Sequence, residues 1–251
     1  MPSLFGCSML LYGPPKIGKS SFCAGLDDCA MLAFEPGLRW IDDKRVAKRK
    51  VTTWKEFIAI TNELAESSTM DADNRKGKVK PKHLCIDTVD IAWVYCMEFI
   101  CKKHGFEHPS DESYGKGYQV LRYEFQKQLA RLNSYGGAMV LVSHCKTVES
   151  RGRQDSAMRK LTPSIPGSAR EVVIPMVDII GYCGFDVGLK GHDRALIFKP
   201  TEDCEAGDRS GRLPAVMPLD ARELDKYFTD GSTASVPSGR KVRTRIKRRA
   251  K

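Results

Sequence analysis

The sequence predicts an α/β fold with a mostly parallel central sheet flanked by helices. Three observations predict it. Short apolar runs that suit strands alternate with longer stretches of helical periodicity. Three of those runs close on a polar side chain, Glu35, Asp87 and His144. The first run leads into Gly13-Pro14-Pro15-Lys16-Ile17-Gly18-Lys19-Ser20, which fits G-x-x-x-x-G-K-[ST], a phosphate-binding loop set between a strand and a helix.

Each element follows from its residues. Residues 7–12 (Cys-Ser-Met-Leu-Leu-Tyr) read as a buried strand. Gly18 lets the backbone curl around an anion, and the amides from about Ile17 to Ser20 point at the α- and β-phosphates. Lys19 adds a charge that reaches the β- and γ-phosphates, and the Ser20 hydroxyl suits Mg²⁺. The expected nucleotide-binding set is therefore Gly13, Pro14, Pro15, Lys16, Ile17, Gly18, Lys19, Ser20 and Ser21, with a helix from Lys19 to Leu26. Cys29 to Phe34 reads as a strand ending at Glu35, and a short strand is expected near Arg49 to Thr52. Thr53 and Glu56 form a capping box for a helix over Trp54 to Glu66. Residues 67–82 are polar and basic and read as a loop.

His83 to Asp87 is the next strand, and Val89, Trp93, Cys96, Met97 and Ile100 recur at helical spacing. Residues 105–117 read as an irregular insertion. Tyr118, Leu121, Phe125, Leu129 and Leu132 mark a further helix, stopped by Gly136-Gly137. Ala138 to Ser143 is a strand ending at His144, and 145–171 reads as a long loop. Asp178 to Cys183 and Arg194 to Phe198 read as late strands, and 221–228 as a closing helix.

Composition sets limits. Hydrophobic content of 41% suits a globular protein, and the apolar run Ile91 to Ile100 is too short to cross a bilayer. The start shows no basic n-region, so a cytoplasmic protein with no membrane partner is expected, its nine cysteines reduced. Residues 231–251 hold eight Lys and Arg and no acid, so the tail carries +8 of the net +10 and leaves +2 for the rest. Residues 1–230 are therefore expected to form the folded core, with 231–251 a basic disordered tail.

The strand ends carry the chemistry. Asp87 is placed to hold Mg²⁺ through water, although it could equally cap the following helix. Thr88 follows it where AAA+ ATPases carry the water-activating glutamate. Glu35 can supply that base from the neighbouring strand end, the alternative being a solvated loop carboxylate. His144 can touch the γ-phosphate and report its loss to the following loop, or simply be satisfied at a strand end.

These motifs, together with Phe34-Glu35-Pro36-Gly37, Tyr114-Gly115-Lys116-Gly117-Tyr118, Leu141-Val142-Ser143-His144 and Gly207-Asp208-Arg209-Ser210-Gly211-Arg212-Leu213-Pro214, resemble the RecA/RadA-like P-loop ATPases. The likeness is greatest to the core-only bacteriophage type, which includes single-strand annealing proteins. His144 departs from the usual glutamine. The resemblance implies binding and hydrolysis of ATP with Mg²⁺, a RecA-like fold over about residues 6–228, and a homo-oligomer, ring or filament. It implies an arginine finger supplied in trans, with Arg209 first and Arg212 second; Lys199 stands in for a missing lysine, and a solvated turn is the alternative for 207–211. It further implies action on single-stranded DNA in recombination, annealing or repair, with a single-strand-binding protein as a further partner. The DNA would meet residues 145–171, which carry Lys146, Arg151, Arg153, Arg159, Lys160 and Arg170 at a net +3. Tyr114 and Tyr118 could stack on bases. The alternative is a regulatory or signalling ATPase of the same fold that does not act on DNA.

Overall fold

The computed structural model describes residues 7–37, 41, 46–66, 81–134, 137–151, 157–185 and 194–229. The predicted loop 67–82 falls outside them except at its end, and the basic tail 231–251 falls outside them altogether.

Strand β1 (Ser8–Gly13) is buried along its whole length. A strand covered on both faces needs apolar residues at every position rather than at alternate ones. Met9, Leu10 and Leu11 meet that need, and their side chains divide between two cores. β1 lies between β5 (Ala138–Arg151) and β7 (Ile179–Gly184), parallel to both. Beyond β5 come β4 (His83–Asp87), β2 (Cys29–Ala33) and β3 (Ala47–Lys50), again all parallel. Beyond β7 the antiparallel strands β8 (Ala195–Ile197) and β10 (Val216–Pro218) close the other edge, and β9 (Gly207–Asp208) pairs with the start of β7. The mostly parallel central sheet flanked by helices that the sequence leads one to expect is thus observed.

Alternation along each strand sorts the two layers. Leu10, Leu32, Leu84, Ile86, Met139 and Leu141 face the helices α2 (Trp54–Glu66), α3 (Val89–His104), α4 (Lys116–Asn133) and α5 (Gly167–Met176). Met9, Leu11, Met31, Cys85, Val140 and Val142 face α1 (Lys19–Ala24) and α6 (Ala221–Thr229). The larger core is built around stacked rings. Trp54 lies 5.7 Å from Phe125 between centroids, and Trp93 meets Phe125 edge-on at 5.0 Å. One buried polar chain is satisfied inside it: Thr61 donates to Gln128, Gln128 to Glu124, and the Trp54 indole also to Glu124. All nine cysteines are free thiols.

Two expectations change. Glu56 reaches back to the amide and hydroxyl of Thr52, one residue earlier than the predicted box, while Thr53 caps the Glu56 amide. The larger change is at 145–171. β5 does not stop at His144. It runs on to Arg151 and folds back as β6 (Ala157–Pro163), an antiparallel hairpin in register from Cys145↔Pro163 to Arg151↔Ala157. The segment Thr147-Val148-Glu149 and its partner Arg159-Lys160-Leu161 each hold a single apolar residue among polar or charged ones. That is the pattern of a two-stranded arm wetted on both sides, and it is easily mistaken for a loop. Residues 164–166 then lead into α5.

The insertion at 105–117 is a pair of single-turn 3-10 helices, Pro109–Asp111 and Ser113–Gly115. A Cβ on Gly117 would stand 2.3 Å from the Pro109 carbonyl oxygen, so only glycine lets this insertion close onto α4.

Phe125 is fully buried at the junction of α2, α3 and α4. Truncation to alanine removes both ring contacts and leaves a cavity, so Phe125→Ala is expected to cost about 3–5 kcal/mol in a urea unfolding titration. A loss below about 1 kcal/mol would show that the helical layer collapses around the gap.

Candidate nucleotide site

The in-register parallel pairing brings the chemistry together. Gly13 at the end of β1 pairs with His144 of β5, and Asp87 at the end of β4 pairs with Val142 of β5 and Ala33 of β2. The Phe34 amide donates to the Asp87 carbonyl at 2.7 Å, which carries the pairing one rung further and sets Glu35 beside Thr88. The predicted loop, base, metal ligand and sensor therefore share the C-terminal edge of the sheet, where parallel α/β sheets open a crevice.

The loop has the backbone its sequence requires. Gly18 adopts φ 112°, a conformation closed to residues with a Cβ, and Lys16 also takes a positive φ. Gly13 is needed for a different reason: a Cβ there would lie 2.3 Å from the Cys183 carbonyl oxygen of β7. Lys19 is only 7% exposed, and its ammonium donates to the Gly13 and Pro14 carbonyls at 2.8 and 3.0 Å. Burial lowers its pKa from the ordinary lysine value, opposed by the nearby Cys183 thiol and the Asp87 carboxylate. A cation held in so dry a place acts at higher effective strength on a phosphate than one in water.

Ser20 and Asp87 form the hard-oxygen pair. Ser20 Oγ donates to Asp87 Oδ2 at 2.6 Å. Burial raises the Asp87 pKa, the Ser20 hydrogen bond opposes this, Glu35 adds to it, and Lys19 and His144 pull it back. A hydroxyl and a buried carboxylate converging on one point fit Mg²⁺, and a cation there would favour the charged carboxylate. The donor set therefore fits the group expected from the sequence.

Glu35 is held from two sides. Thr88 Oγ1 donates to Glu35 Oε1 at 2.8 Å, and His144 Nε2 lies 3.2 Å from the same oxygen. The Glu35 side chain keeps about a third of its surface, so water can reach it. Thr88 is the residue before α3, but its hydroxyl makes no cap bond to the helix and is given to Glu35 instead. The helix-cap alternative for Asp87 thus does not describe this end, because the capping position belongs to Thr88.

Asp90 was not singled out by sequence. From the first turn of α3 it accepts hydrogen bonds from Ser143 Oγ at 3.1 Å, from the His144 amide at 3.3 Å, and from Ser164 Oγ. It therefore fastens the root of the hairpin, both strands, to the helix that follows Asp87. The only signal available was an acid in a first helical turn, which is too common to notice. In sequence Arg194 marks only the start of a strand, yet its Nη1 donates to the Ile17 carbonyl at 3.3 Å.

The finger candidates lie elsewhere. Arg209 follows β9, which pairs with the N-terminal end of β7, so it stands a strand's length from its own phosphate loop. It donates to the Pro175 carbonyl and faces Asp178 at 3.5 Å. Asp208 accepts from Ser210 and from the Leu213 amide, and Gly211 takes φ 64°, so 208–213, with Arg212 in it, forms a hydrogen-bonded turn. Among the bases expected to meet DNA, Arg170 is bound to Glu205 at 2.5 Å and Arg159 to Glu149 at 2.8 Å. Lys146 reaches the Ile165 carbonyl, and Arg153 lies outside the described residues. Tyr118 is half-buried against His108, whereas Tyr114 is almost fully exposed.

Residues 6–210 match the model of a family described as an AAA domain. The chain belongs to that family. With the loop geometry above, this makes it a P-loop NTPase, of the kind that binds and hydrolyses ATP, typically with Mg²⁺. No curated protein matches the sequence. Within this AAA domain the residue directly after Asp87 is Thr88, not a carboxylate. Among the described residues no helix is long and apolar enough to cross a membrane.

Lys19→Ala removes the buried charge at the loop and is expected to abolish ATP binding in a calorimetric titration. Unchanged affinity would remove Lys19 from the site.

Proposed function

We propose that this AAA domain hydrolyses ATP in the RecA-like manner, with Glu35 as the base that orients and deprotonates the attacking water. One observation carries the reading: a single carboxylate oxygen receives both Thr88 Oγ1 and His144 Nε2 at the edge where the phosphate loop ends. Two donors on one oxygen leave the other free to accept from water, and they fix its direction. Ser20 and Asp87 would hold Mg²⁺, which would neutralise charge on the phosphates. Lys19 steadies the phosphate chain, and His144 links the γ end to β5.

The finer reading is a core-only, phage-type ATPase acting on single-stranded DNA. Its support is the hairpin itself. The strand that bears His144 continues into an arm with Lys146 exposed near its root and half-buried Lys160 on its return, so a change at the γ-phosphate has a direct route to basic side chains. Tyr114 is an exposed aromatic in the other loop expected to meet bases, and the basic tail is a second electrostatic contact. The other reading is a regulatory or signalling ATPase of the same fold that does not act on DNA, its basic tail meeting an acidic protein or RNA.

ATP turnover measured with and without single-stranded DNA separates them. Stimulation by DNA is expected, and Glu35→Gln should bind ATP yet turn it over roughly 10²–10⁴-fold more slowly under both conditions. Normal turnover in that variant would move the base elsewhere, and indifference to DNA would favour the second reading.

Assembly with a finger in trans belongs to the same proposal. Because Arg209 is remote from its own loop, it can act only on a neighbour's nucleotide. Arg209→Ala is expected to bind ATP and hydrolyse it poorly, and mixing it with Lys19→Ala should restore part of the activity at interfaces that join an intact loop to an intact arginine. Mixed oligomers without rescue would exclude Arg209, leaving Arg212 or Lys199.

A further inference from the structure

The catalytic groups all lie to one side of β1, on β5, β4 and the end of β2. On the other side, across β7, the strands β8 and β10 bring two further residues to the same edge. Pro218 pairs with Ala195, and one rung beyond them the Leu219 amide donates to the Arg194 carbonyl at 3.1 Å. Both side chains lean on the loop's left-handed glycine. A Cβ placed on Gly18 would stand 2.8 Å from Arg194 Nη1 and 3.5 Å from Leu219 Cδ2.

We propose that Arg194 and Leu219 form the nucleoside side of the nucleotide site, with the Arg194 guanidinium on the α-phosphate and Leu219 as an apolar wall beside the sugar and base. The inference rests on the phosphate-loop reading and adds a direction to it. A triphosphate whose γ end lies at Glu35 and His144 must run along the loop with its nucleoside end away from them. That is the β7–β8 side. One Arg194 nitrogen is engaged by the Ile17 carbonyl, and guanidinium carries five N–H donors in a planar fork, so donors remain for an anion. Among the described residues no carboxylate forms an ion pair with Arg194. A cation held against an anion-binding loop, fixed by backbone pairing and not neutralised by a described acid, is suited to a phosphate ligand.

ATP and ADP both carry the α-phosphate, and only ATP carries the γ. The test is a calorimetric titration of wild type, Arg194→Ala and Arg194→Gln with ATP and with ADP, and Lys19→Ala as reference. Both Arg194 variants are expected to lose roughly 10-fold or more in affinity, by the same factor for the two nucleotides. Arg194 is exposed at the strand end, so both variants should keep the wild-type circular dichroism spectrum and melting profile. Affinities equal to wild type would overturn the assignment. A loss confined to ATP would also overturn it, since that places the guanidinium at the γ end. A wild-type chain that bound neither nucleotide would instead remove the phosphate-loop reading underneath, a result separate from either of these.

Discussion

The active edge depends on the parallel registration of four strands, β2, β4, β5 and β1. No single loop brings Glu35, Asp87, His144 and Gly13 together. Gly13 and Asp87 end β1 and β4, Glu35 lies two residues past the end of β2, and His144 sits on the last rung that β5 shares with β1; the ladders between these strands fix the spacing. Such ladders hold only while both faces are covered, because a parallel sheet has no wet side. The aromatic packing of Trp54, Trp93 and Phe125, far from any phosphate, therefore belongs to the geometry of the site. A one-residue slip of β5 would carry His144 away from Gly13 and turn every side chain of that strand to the wrong face.

The charges at this edge are balanced against one another. Asp87 is a buried carboxylate near a second one, Glu35, and both burial and that neighbour disfavour its ionised form. Lys19 is a buried ammonium, disfavoured by the same dryness and supported by Asp87. Neither is comfortable alone. The chain bears that cost where it gives electrostatic leverage on a polyphosphate, with the Ser20 hydroxyl, the Thr88 hydroxyl and the His144 ring fixing the directions of the two carboxylates.

Much of this was legible in the residues. The loop motif, the alternation of strand and helix, and a polar residue at each apolar run's end led to the fold and to Lys19, Ser20, Asp87, Glu35 and His144 as neighbours. These signals are local, or depend only on which end of a strand a residue occupies. What escaped was set by long-range pairing. The hairpin was hidden because a two-sided solvated arm has no apolar face to announce it. Thr88 was noticed for what it is not, a glutamate, while its hydroxyl bond to Glu35 joins residues 53 positions apart. Asp90 and Arg194 are ordinary residues at a helix start and a strand start, and only the assembled sheet shows what each one touches. Arg159 and Arg170 looked available in sequence because their acids, Glu149 and Glu205, become partners only after folding.

The long β5 strand has a mechanical consequence. Its first half is clamped between β1 and β4, and its second half, from Cys145 to Arg151, leaves the sheet, its backbone pairing among the described residues with β6. At about 3.3 Å per residue the free half extends roughly 20 Å past His144. A lever of that length multiplies angle into distance: a tilt of about 5° at the root sweeps the tip by about 2 Å. The pivot is the Asp90 fastening, and the short arm ends at the residue that touches Glu35. A small tilt at His144 would thus become a displacement of ångströms at the tip of the arm.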